Sequence, residues 1–579
     1  MHTAKKILVA LLFSSTLLTS PVFAGEKEDL MVLRNTISNL MDALVQQGVM
    51  TREQADLLIR QAEEDAAKST VPQLQAQEEV PNDVVRIPYV PEIVKEEIRQ
   101  QVREELRQEV TKDVIAHAKT ERWGIKDALP GWVNKIKISG DIRLRGQSDS
   151  YDSGNEQSVS DFFRDSNAAN GDAPFTLGEL QDSTDIGESV LNNTEDRTRA
   201  RARLRVKVDA KVNDEIKAGI RLSTGNTGDP VSTNQTLGTG NNRYDVVLDR
   251  AFLQYETAND FASIKLAGGR IPNPFFSTDL LWDDDLGFEG AAGTVTIPLG
   301  GGDLYSMTES NKDIFVTLGA FPLEEFGLSS SRDKWLLGGQ IGSSWVFDNQ
   351  STLKFAAAYY DFRNVRATTS PKDQDEFLAS LPDYMQYGNT VALIRNPFDV
   401  DNTANANDTF GFGLATDYDI LNFTASLDLA NFAPYHLIIT ADYVKNIGYD
   451  INEATTALLG GKVSEASTGY HVRVEYGWPR IARYGQWNVH LAYKHLERDA
   501  VLDAFTDSDF RLGGTDSKGW ELGGNFGLHE NTWLTVTYRS AEEIDGNAIP
   551  EANGCLGASG GDTCSRGVDV LQVDLNSKF

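Results

Sequence analysis

Every second residue from Arg197 to Lys207 is basic. The six cations are Arg197, Arg199, Arg201, Arg203, Arg205 and Lys207. Alternate side chains of a β-strand point to the same face, so this spacing places all six on one side of a strand. Such a row could guide ions through a polar space, or it could brace a wall by pairing with carboxylates on neighbouring strands. The two roles can coexist, and the sequence favours neither.

A second charged feature is acidic. Between Ile271 and Leu286 there is no lysine or arginine, and the carboxylates are Asp279, Asp283, Asp284 and Asp285, with Glu289 just after. Carboxylates that face a row of arginines would produce an electric field between them. A calcium-binding loop is a weaker interpretation, because three consecutive aspartates do not match the spaced oxygen ligands of an EF-hand. An ordinary solvated loop is the third possibility.

Two cysteines, Cys555 and Cys564, lie in a Gly-rich segment near the C-terminus. In an exported protein we expect them to form a disulfide. A metal site is less favoured, because a structural zinc site has four ligands and no other Cys or His lies beside the pair. Gly461-Lys462 lacks the upstream glycine and the following Ser/Thr of a phosphate-binding loop. We therefore expect no enzyme activity, no cofactor and no metal.

The N-terminus directs the chain out of the cytoplasm. Residues 1–24 have Lys5 and Lys6, an apolar run and a small residue at Ala24, as in a secretory signal peptide. No later stretch approaches the roughly 20 apolar residues of a transmembrane helix. If the mature chain lies in a membrane, it must therefore be a β-barrel. The net charge of −31 argues against nucleic acid as a partner.

Residues 25–120 have helical patterns on both sides of a polar linker, residues 71–91. We predict a periplasmic helical hairpin in residues 25–70, where a capping box begins the second helix at Thr51. In residues 92–120 the apolar residues recur at every fourth position, which favours a right-handed coiled coil. A single solvated helix with Glu/Arg pairs remains the alternative for that segment.

From residue 132 to residue 579 the pattern changes to a period of two. In the segment Tyr470–Trp478, apolar and aromatic side chains alternate with polar ones, as on a strand between lipid and a wet interior. About 16 such strands can be placed. They begin near Lys135, Arg197, Glu215, Val246, Phe261, Gly287, Asp313, Lys334, Thr352, Asp417, Tyr435, Gly469, Gln486, Lys518, Thr532 and Gly567.

The connections between these strands alternate strictly between short turns and long polar loops. Outer-membrane barrels have this asymmetry, with short periplasmic turns and long extracellular loops. The sequence therefore predicts an all-β transmembrane antiparallel barrel of about 16 strands, preceded by the helical region and surrounded by outer-membrane lipid.

The barrel fold determines whether the basic residues face lipid or the lumen. A lysine or arginine that faces lipid near the midplane costs about 2–4 kcal/mol, so the basic row must face the lumen. Arg143 and Arg145 add to it from the preceding strand, where they alternate with Ile142 and Leu144. We expect these two residues and the row from Arg197 to Lys207 to line the barrel wall.

The region Lys135–Phe579 resembles the bacterial putative-porin family, which is distantly similar to the phosphate-selective porins. The resemblance rests on four features: the basic strand, the segment Gly268–Phe275 (GGRIPNPF), the segment Leu281–Leu286 (LWDDDL) and the terminal Phe579. It implies a trimeric diffusion pore in the outer membrane. The phosphate-selective relatives have a basic constriction, so the acidic segment here argues against phosphate specificity.

Residues 271–286 join the fifth and sixth predicted strands, the connection that narrows the channel in porins. We expect it to be an acidic constriction loop that faces the arginine wall, which leaves weak cation preference or little selectivity open. The function predicted is passive diffusion of small hydrophilic solutes and ions. The alternative is a structural protein whose periplasmic helices tether the outer membrane to peptidoglycan or another envelope layer.

Overall fold

The computed structural model describes residues 135–155, 175–176, 192–225, 227–259, 261–299, 312–326, 332–368, 378–394, 409–410, 412–452, 465–544 and 566–579. The predicted signal peptide, helical hairpin, linker, coiled-coil helix and disulfide all lie outside these ranges. Within them, no helix is long and apolar enough to cross a membrane.

Sixteen antiparallel strands form one closed sheet. They are β1 (Ile136–Tyr151), β2 (Arg197–Lys211), β3 (Ile216–Thr224), β4 (Val246–Ala258), β5 (Ser263–Pro272), β6 (Gly287–Pro298), β7 (Lys312–Glu324), β8 (Lys334–Val346), β9 (Thr352–Arg363), β10 (Tyr418–Phe432), β11 (Tyr435–Asn446), β12 (Thr468–Gly477), β13 (Trp487–Leu496), β14 (Ser517–His529), β15 (Thr532–Glu543) and β16 (Gly567–Lys578). Each strand pairs with the next, and β16 pairs with β1. Closure leaves the barrel without an open edge. The predicted 16-strand barrel is confirmed, and every predicted strand start lies within two residues of the observed one.

Short strands lie outside this set. Gln235–Thr236 pairs with β2, and two small sheets pair Val391–Leu393 with Phe412–Leu414 and Phe175–Thr176 with Thr409–Phe410.

The two faces of the barrel differ as the period of two predicts. On β1, Ile138 and Leu144 are 66% and 50% exposed on the outside, whereas the neighbouring Arg145 is 5% exposed. Along β11 to β14 the outer face carries Tyr443, Tyr470, Tyr476, Tyr493 and Trp520. Neighbouring rings contact each other across strands, as with Tyr493 and Trp520, whose centroids are 4.6 Å apart. An apolar outer band with aromatic residues is typical of a lipid-facing barrel.

The barrel has two unlike ends. At one end, Gly140 near the start of β1 exchanges two backbone hydrogen bonds of 3.0 Å with Phe579. The short connections lie at this turn end: residues 212–215, 259–262, 347–351, 433–434 and 530–531. The opposite, loop end carries the long connections, among them residues 152–196, 225–245, 364–417 and 544–566.

The expectation of strictly alternating lengths is wrong in one region. The connection 299–311 at the turn end is longer than the next one, 325–333, at the loop end. Antiparallel pairing of successive strands determines the side on which a connection lies, and it leaves the length free. Length alone is therefore an imperfect guide to sidedness.

Candidate functional site within the barrel

Residues 273–286, here called loop A, connect β5 to β6 and cross the barrel interior. On one side, Arg205 of β2 donates to the Asp285 carboxylate at 2.7 Å. On the other side, Lys494 of β13 donates to Asp279 at 3.0 Å. Loop A thus reaches between two parts of the wall that are separated by four strands, and one ion pair attaches it to each of them.

Further polar contacts fix the middle of loop A. The hydroxyl and amide of Thr278 donate to Asp442 of β11 at 2.7 and 3.1 Å. The side chain of Gln340 on β8 accepts from the amide of Phe276 and donates to its carbonyl, both at 2.8 Å. The loop is therefore anchored to four strands of the wall.

The other side of loop A is apolar and packs on β6 to β9. The Phe275 ring lies edge-on to Tyr360 with centroids 5.0 Å apart, and Trp282 lies 5.0 Å from Phe288. These four rings are at most 6% exposed. The expectation of a polar interior is wrong for this part of the wall, because loop A covers it and supplies apolar partners.

Arginines line the wall formed by β1 and β2. The strand register places Arg143 opposite Arg203 and Arg145 opposite Arg201. Like charges directly opposite each other destabilise a sheet unless other groups compensate them. Carboxylates from elsewhere in the barrel are required here, and they come from neighbouring strands and from inward loops.

Asp141 on β1 accepts hydrogen bonds from Arg203 at 3.0 Å and from Arg205 at 2.9 Å. Arg145 forms two hydrogen bonds with Asp574 of β16, at 2.8 and 2.9 Å. These cations lie within carboxylate networks that join three strands, and this arrangement braces the wall.

The other predicted wall residues differ in their partners. Arg143 donates to Asn234 at 2.5 Å, and Arg199 pairs with Asp149 at 3.2 Å. Arg201 has only Gln147 and Ser232 as hydrogen-bond partners among the described residues, at 3.5 and 3.4 Å. Lys207 pairs with Asp209 near the turn end, and both side chains are more than a third exposed. Arg197, at the loop-end start of β2, is exposed.

The predicted acidic residues separate into three environments. Asp279 and Asp285 are ion-paired as described above. The Asp283 carboxylate accepts from the amides of Asp285 at 2.7 Å and of Ser508 at 3.1 Å. Burial, together with the charges of Asp507 and Asp285, raises the pKa of Asp283 well above its usual value.

Asp284 is exposed, and no ion pair or hydrogen bond of its side chain occurs among the described residues. Glu289 is not part of loop A. It follows Phe288 on β6, whose ring points inward, and its carboxylate pairs with Arg270 at 2.5 Å. The alternation of a strand therefore places Glu289 on the opposite side from the interior. Of the five acidic residues, Asp284 is the one that lies in loop A, is exposed and has no ion pair among the described residues.

A second inward loop was not predicted from the sequence. Residues 497–516, here called loop B, connect β13 to β14. The amide of Asp283 donates to the Phe505 carbonyl at 2.9 Å, so the two loops are in direct contact. Asp509 of loop B accepts two hydrogen bonds of 2.8 Å from Arg145. Loop B thus provides the carboxylate that the arginine wall requires.

A signal for loop B is present in the sequence. The run Asp503–Gly514 (DAFTDSDFRLGG) combines several aspartates with phenylalanines, as loop A combines them with Phe and Trp. Carboxylates suit a basic wall and rings suit an apolar one, so this shared composition marks loops that fold inward. A search for composition as well as loop length would have found it.

The wall formed by β12 to β15, which leads through β16 to the arginine wall, has its own network. Glu521 on β14 accepts from Arg539 at 2.6 Å, is 2.8 Å from the His490 ring and is 3.4 Å from Arg473. None of these residues was predicted from the sequence to be a site residue. Across the described residues, no group of three or more His, Cys, Asp or Glu is arranged to hold a metal ion.

No curated protein matches the chain in sequence. Similar solved structures include a loop L8 deletion mutant of OmpT, an outer membrane protein of Vibrio cholerae (9% identity, 77% of this chain and 100% of that chain, TM-score 0.34). Others are the outer membrane channel DcaP of Acinetobacter baumannii (10%, 77% and 98%, TM-score 0.36) and Salmonella typhi OmpF in complex with daunomycin (11%, 78% and 99%, TM-score 0.36).

The most informative match is to a family model described as putative porin, which aligns with residues 34–579. This alignment includes every strand of the barrel. The chain therefore belongs to the putative porin family.

Proposed function

We propose that this protein is an outer-membrane porin that forms a water-filled channel for passive diffusion of small hydrophilic solutes and ions. The observation that carries the proposal is a closed barrel with an apolar outer face and charged side chains on its inner wall. Such a barrel is stable in lipid because all of its backbone groups are paired, and its polar interior favours water. Membership of the putative porin family supports the same function.

Loop A is the proposed constriction. It lies inside the barrel and bears Asp284, whose carboxylate is exposed. The arginine wall of β1 and β2 stands on one side of the loop. We infer that most of the ion pairs at this wall brace it, since Arg145, Arg203 and Arg205 are occupied by carboxylates. Asp284 and Arg201 are the charges best placed to act on passing ions.

Both ends of the barrel domain lie at the turn end, since Gly140 pairs with Phe579. Short turns face the periplasm in outer-membrane barrels, and long loops face outward. We therefore propose that the segment before β1 is periplasmic after cleavage of the signal peptide. Following the family resemblance, we also propose a homotrimer, which chemical cross-linking in detergent would test.

Swelling of proteoliposomes tests the proposed function. Vesicles that contain the folded protein are diluted into isotonic solutions of uncharged sugars of increasing size. We expect fast swelling with small sugars and a decreasing rate with larger ones, since a constricted aqueous passage sieves by size. Vesicles with correctly inserted protein that swell no faster than empty vesicles would contradict the proposal.

A further inference from the structure

Lys494 lies where the two inward loops meet the wall. It is on β13, its side chain is 5% exposed, and its ammonium group points to the interior. Nζ is 3.0 Å from the Asp279 carboxylate of loop A and 3.3 Å from the Asp507 carboxylate of loop B. It also lies 4.9 Å from the centroid of the Phe510 ring of loop B. A single ammonium group therefore contacts both loops.

Other wall cations that form ion pairs with these loops hold one loop each. Arg205 binds loop A through Asp285, and Arg145 binds loop B through Asp509. Among the described residues, no other lysine or arginine has an ion pair to both loops. Lys494 is thus the common attachment point of the two loops among the described residues.

More than one carboxylate surrounds the single ammonium group of Lys494. The Asp279 and Asp507 side chains, 35% and 15% exposed, share one ammonium group, and Asp279 also lies 3.4 Å from Nδ1 of His471. The Asp283 carboxylate of loop A lies near Asp507 as well. Removal of one partner from a buried ion pair leaves uncompensated charge, which is costly in a low dielectric. Without Lys494, Asp279 and Asp507 would repel each other across the junction. Their repulsion would move loop A and loop B apart or toward water.

We propose that Lys494 sets the width of the passage by holding loop A and loop B together at one wall. It is a positioning residue, because it acts on solutes through the loops. This inference rests on the proposed function. It adds that the constriction is a two-loop structure whose size depends on one lysine.

Exclusion of uncharged polymers from the channel tests the proposal. In planar bilayers, polyethylene glycols small enough to enter lower the conductance, and the size at which this effect ends measures the passage. We expect the size cut-off to rise in Lys494→Met. Lys494→Arg should retain the wild-type cut-off, because a guanidinium keeps both ion pairs. A mere change of charge would shift reversal potential and leave the polymer cut-off unchanged.

Lys354→Met is the matched control. Lys354 on β9 also contacts loop A, with Nζ 4.3 Å from the centroid of the Phe276 ring, and the described residues show no ion pair between it and either loop. We expect its cut-off to stay at the wild-type value. An equal rise in both lysine variants would contradict the assignment to Lys494.

A second set of variants tests the same contact from the loop side. Asp279→Asn with Asp507→Asn should raise the cut-off less than Lys494→Met, since amides still accept hydrogen bonds from the lysine. In that background, Lys494→Met should widen the passage less than it does in the wild type, because the ion pairs are already lost. Equal widening in both backgrounds would overturn the proposal.

A wrong porin function and a wrong role for Lys494 would give different results. If wild-type protein that is folded and inserted carries no current, the proposed function is wrong. If the wild type conducts and Lys494→Met has the wild-type cut-off, the proposed role of Lys494 is wrong and the porin function stands. Heat-dependent electrophoretic mobility shows which variants are folded, and the paired Asn variants decide the question if Lys494→Met does not fold.

Discussion

Charged side chains inside this barrel have two distinct tasks. Arg205 and Asp285 hold loop A to the wall, while Asp284, one residue earlier in the chain, projects a carboxylate into solvent. A paired charge is largely cancelled at short range, whereas an unpaired one in a narrow polar space attracts counter-ions. Ion preference should therefore depend on few of the many charges present.

Asp284→Asn tests this at the residue scale. Removal of the exposed carboxylate should shift reversal potential under a salt gradient toward anion selectivity, because one fixed negative charge leaves the passage. Glu289→Gln is the control, since that carboxylate pairs with Arg270 away from the interior. Equal shifts in the two variants, or no shift in Asp284→Asn, would remove Asp284 from the constriction.

Arg145→Met tests whether the ion pairs of Arg145 stabilise the barrel wall. The guanidinium of Arg145 is buried with Asp574 and Asp509, and its loss leaves two buried carboxylates without their cation. We expect the free energy of unfolding to fall by about 3–5 kcal/mol, measured by urea unfolding of the barrel in lipid vesicles. Lys207→Met should change it by about 1 kcal/mol or less, because the pair with Asp209 is solvent-exposed. Similar values for both would contradict a bracing role.

The titration of Asp507 should make the ion selectivity depend on pH. Burial and the charge of Asp279 raise the pKa of Asp507 to about 6, even though Lys494 lowers it. The carboxyl is therefore ionised above this pH and gains a proton below it, which removes a negative charge from loop B. Reversal potential should move toward anion selectivity as the pH falls through 6. The step should be absent in Asp507→Asn, and its persistence there would assign it to another group.

At the scale of residues, the sequence predicts which face of a strand a side chain occupies. It does not predict which residue that side chain pairs with. The alternation of Arg197 to Lys207 was sufficient to place these residues on one side of a strand. The carboxylates that pair with Arg145 come from Asp509 and Asp574, more than 350 residues away along the chain. Such pairs depend on barrel closure and on loop direction, which the local pattern does not contain.

At the scale of elements, the strands were more predictable than the loops. Lipid on one side and polar groups on the other impose a period of two, which predicted the starts of all sixteen strands. The apolar inner face of β6 to β9 departs from this period where loop A packs on it. Loop B was missed because a loop of ordinary length has no periodicity that shows whether it folds inward. The apolar wall of Phe288 and Tyr360 was missed for the same reason, since its partner is loop A.

Substitutions of two adjacent glycines on β8 test how loop A packs against the barrel wall. A Cβ at Gly338 would lie 2.5 Å from the Phe275 ring of loop A, whereas a Cβ at Gly339 would meet Leu318 at 3.4 Å on the outer face. Gly338→Ala should displace the buried ring and reduce the free energy of unfolding by about 1–3 kcal/mol. It should also change the polymer cut-off. Gly339→Ala should alter the cut-off little. An equal effect of the two variants would contradict the packing of Phe275 against Gly338.

At the scale of the whole molecule, the closed sheet and the inward loops have different roles. Pairing of β1 with β16 closes the sheet, so the backbone hydrogen bonds of both strands are satisfied in lipid. The same pairing places Asp574 beside Arg145. The barrel therefore supplies a fixed wall with charges in register. Loop A and loop B both lie inside it, so under the proposed function their attachment sets the space that remains open for solutes.

Single-channel recording in planar lipid bilayers tests the central claim most directly. The purified, folded wild-type protein should insert and give discrete, ion-permeable conductance steps, because the proposed channel is an aqueous path through the barrel that loop A narrows. The same preparation should show heat-dependent electrophoretic mobility as evidence of folding. Folded protein that inserts into the bilayer and gives no conductance steps would contradict the account.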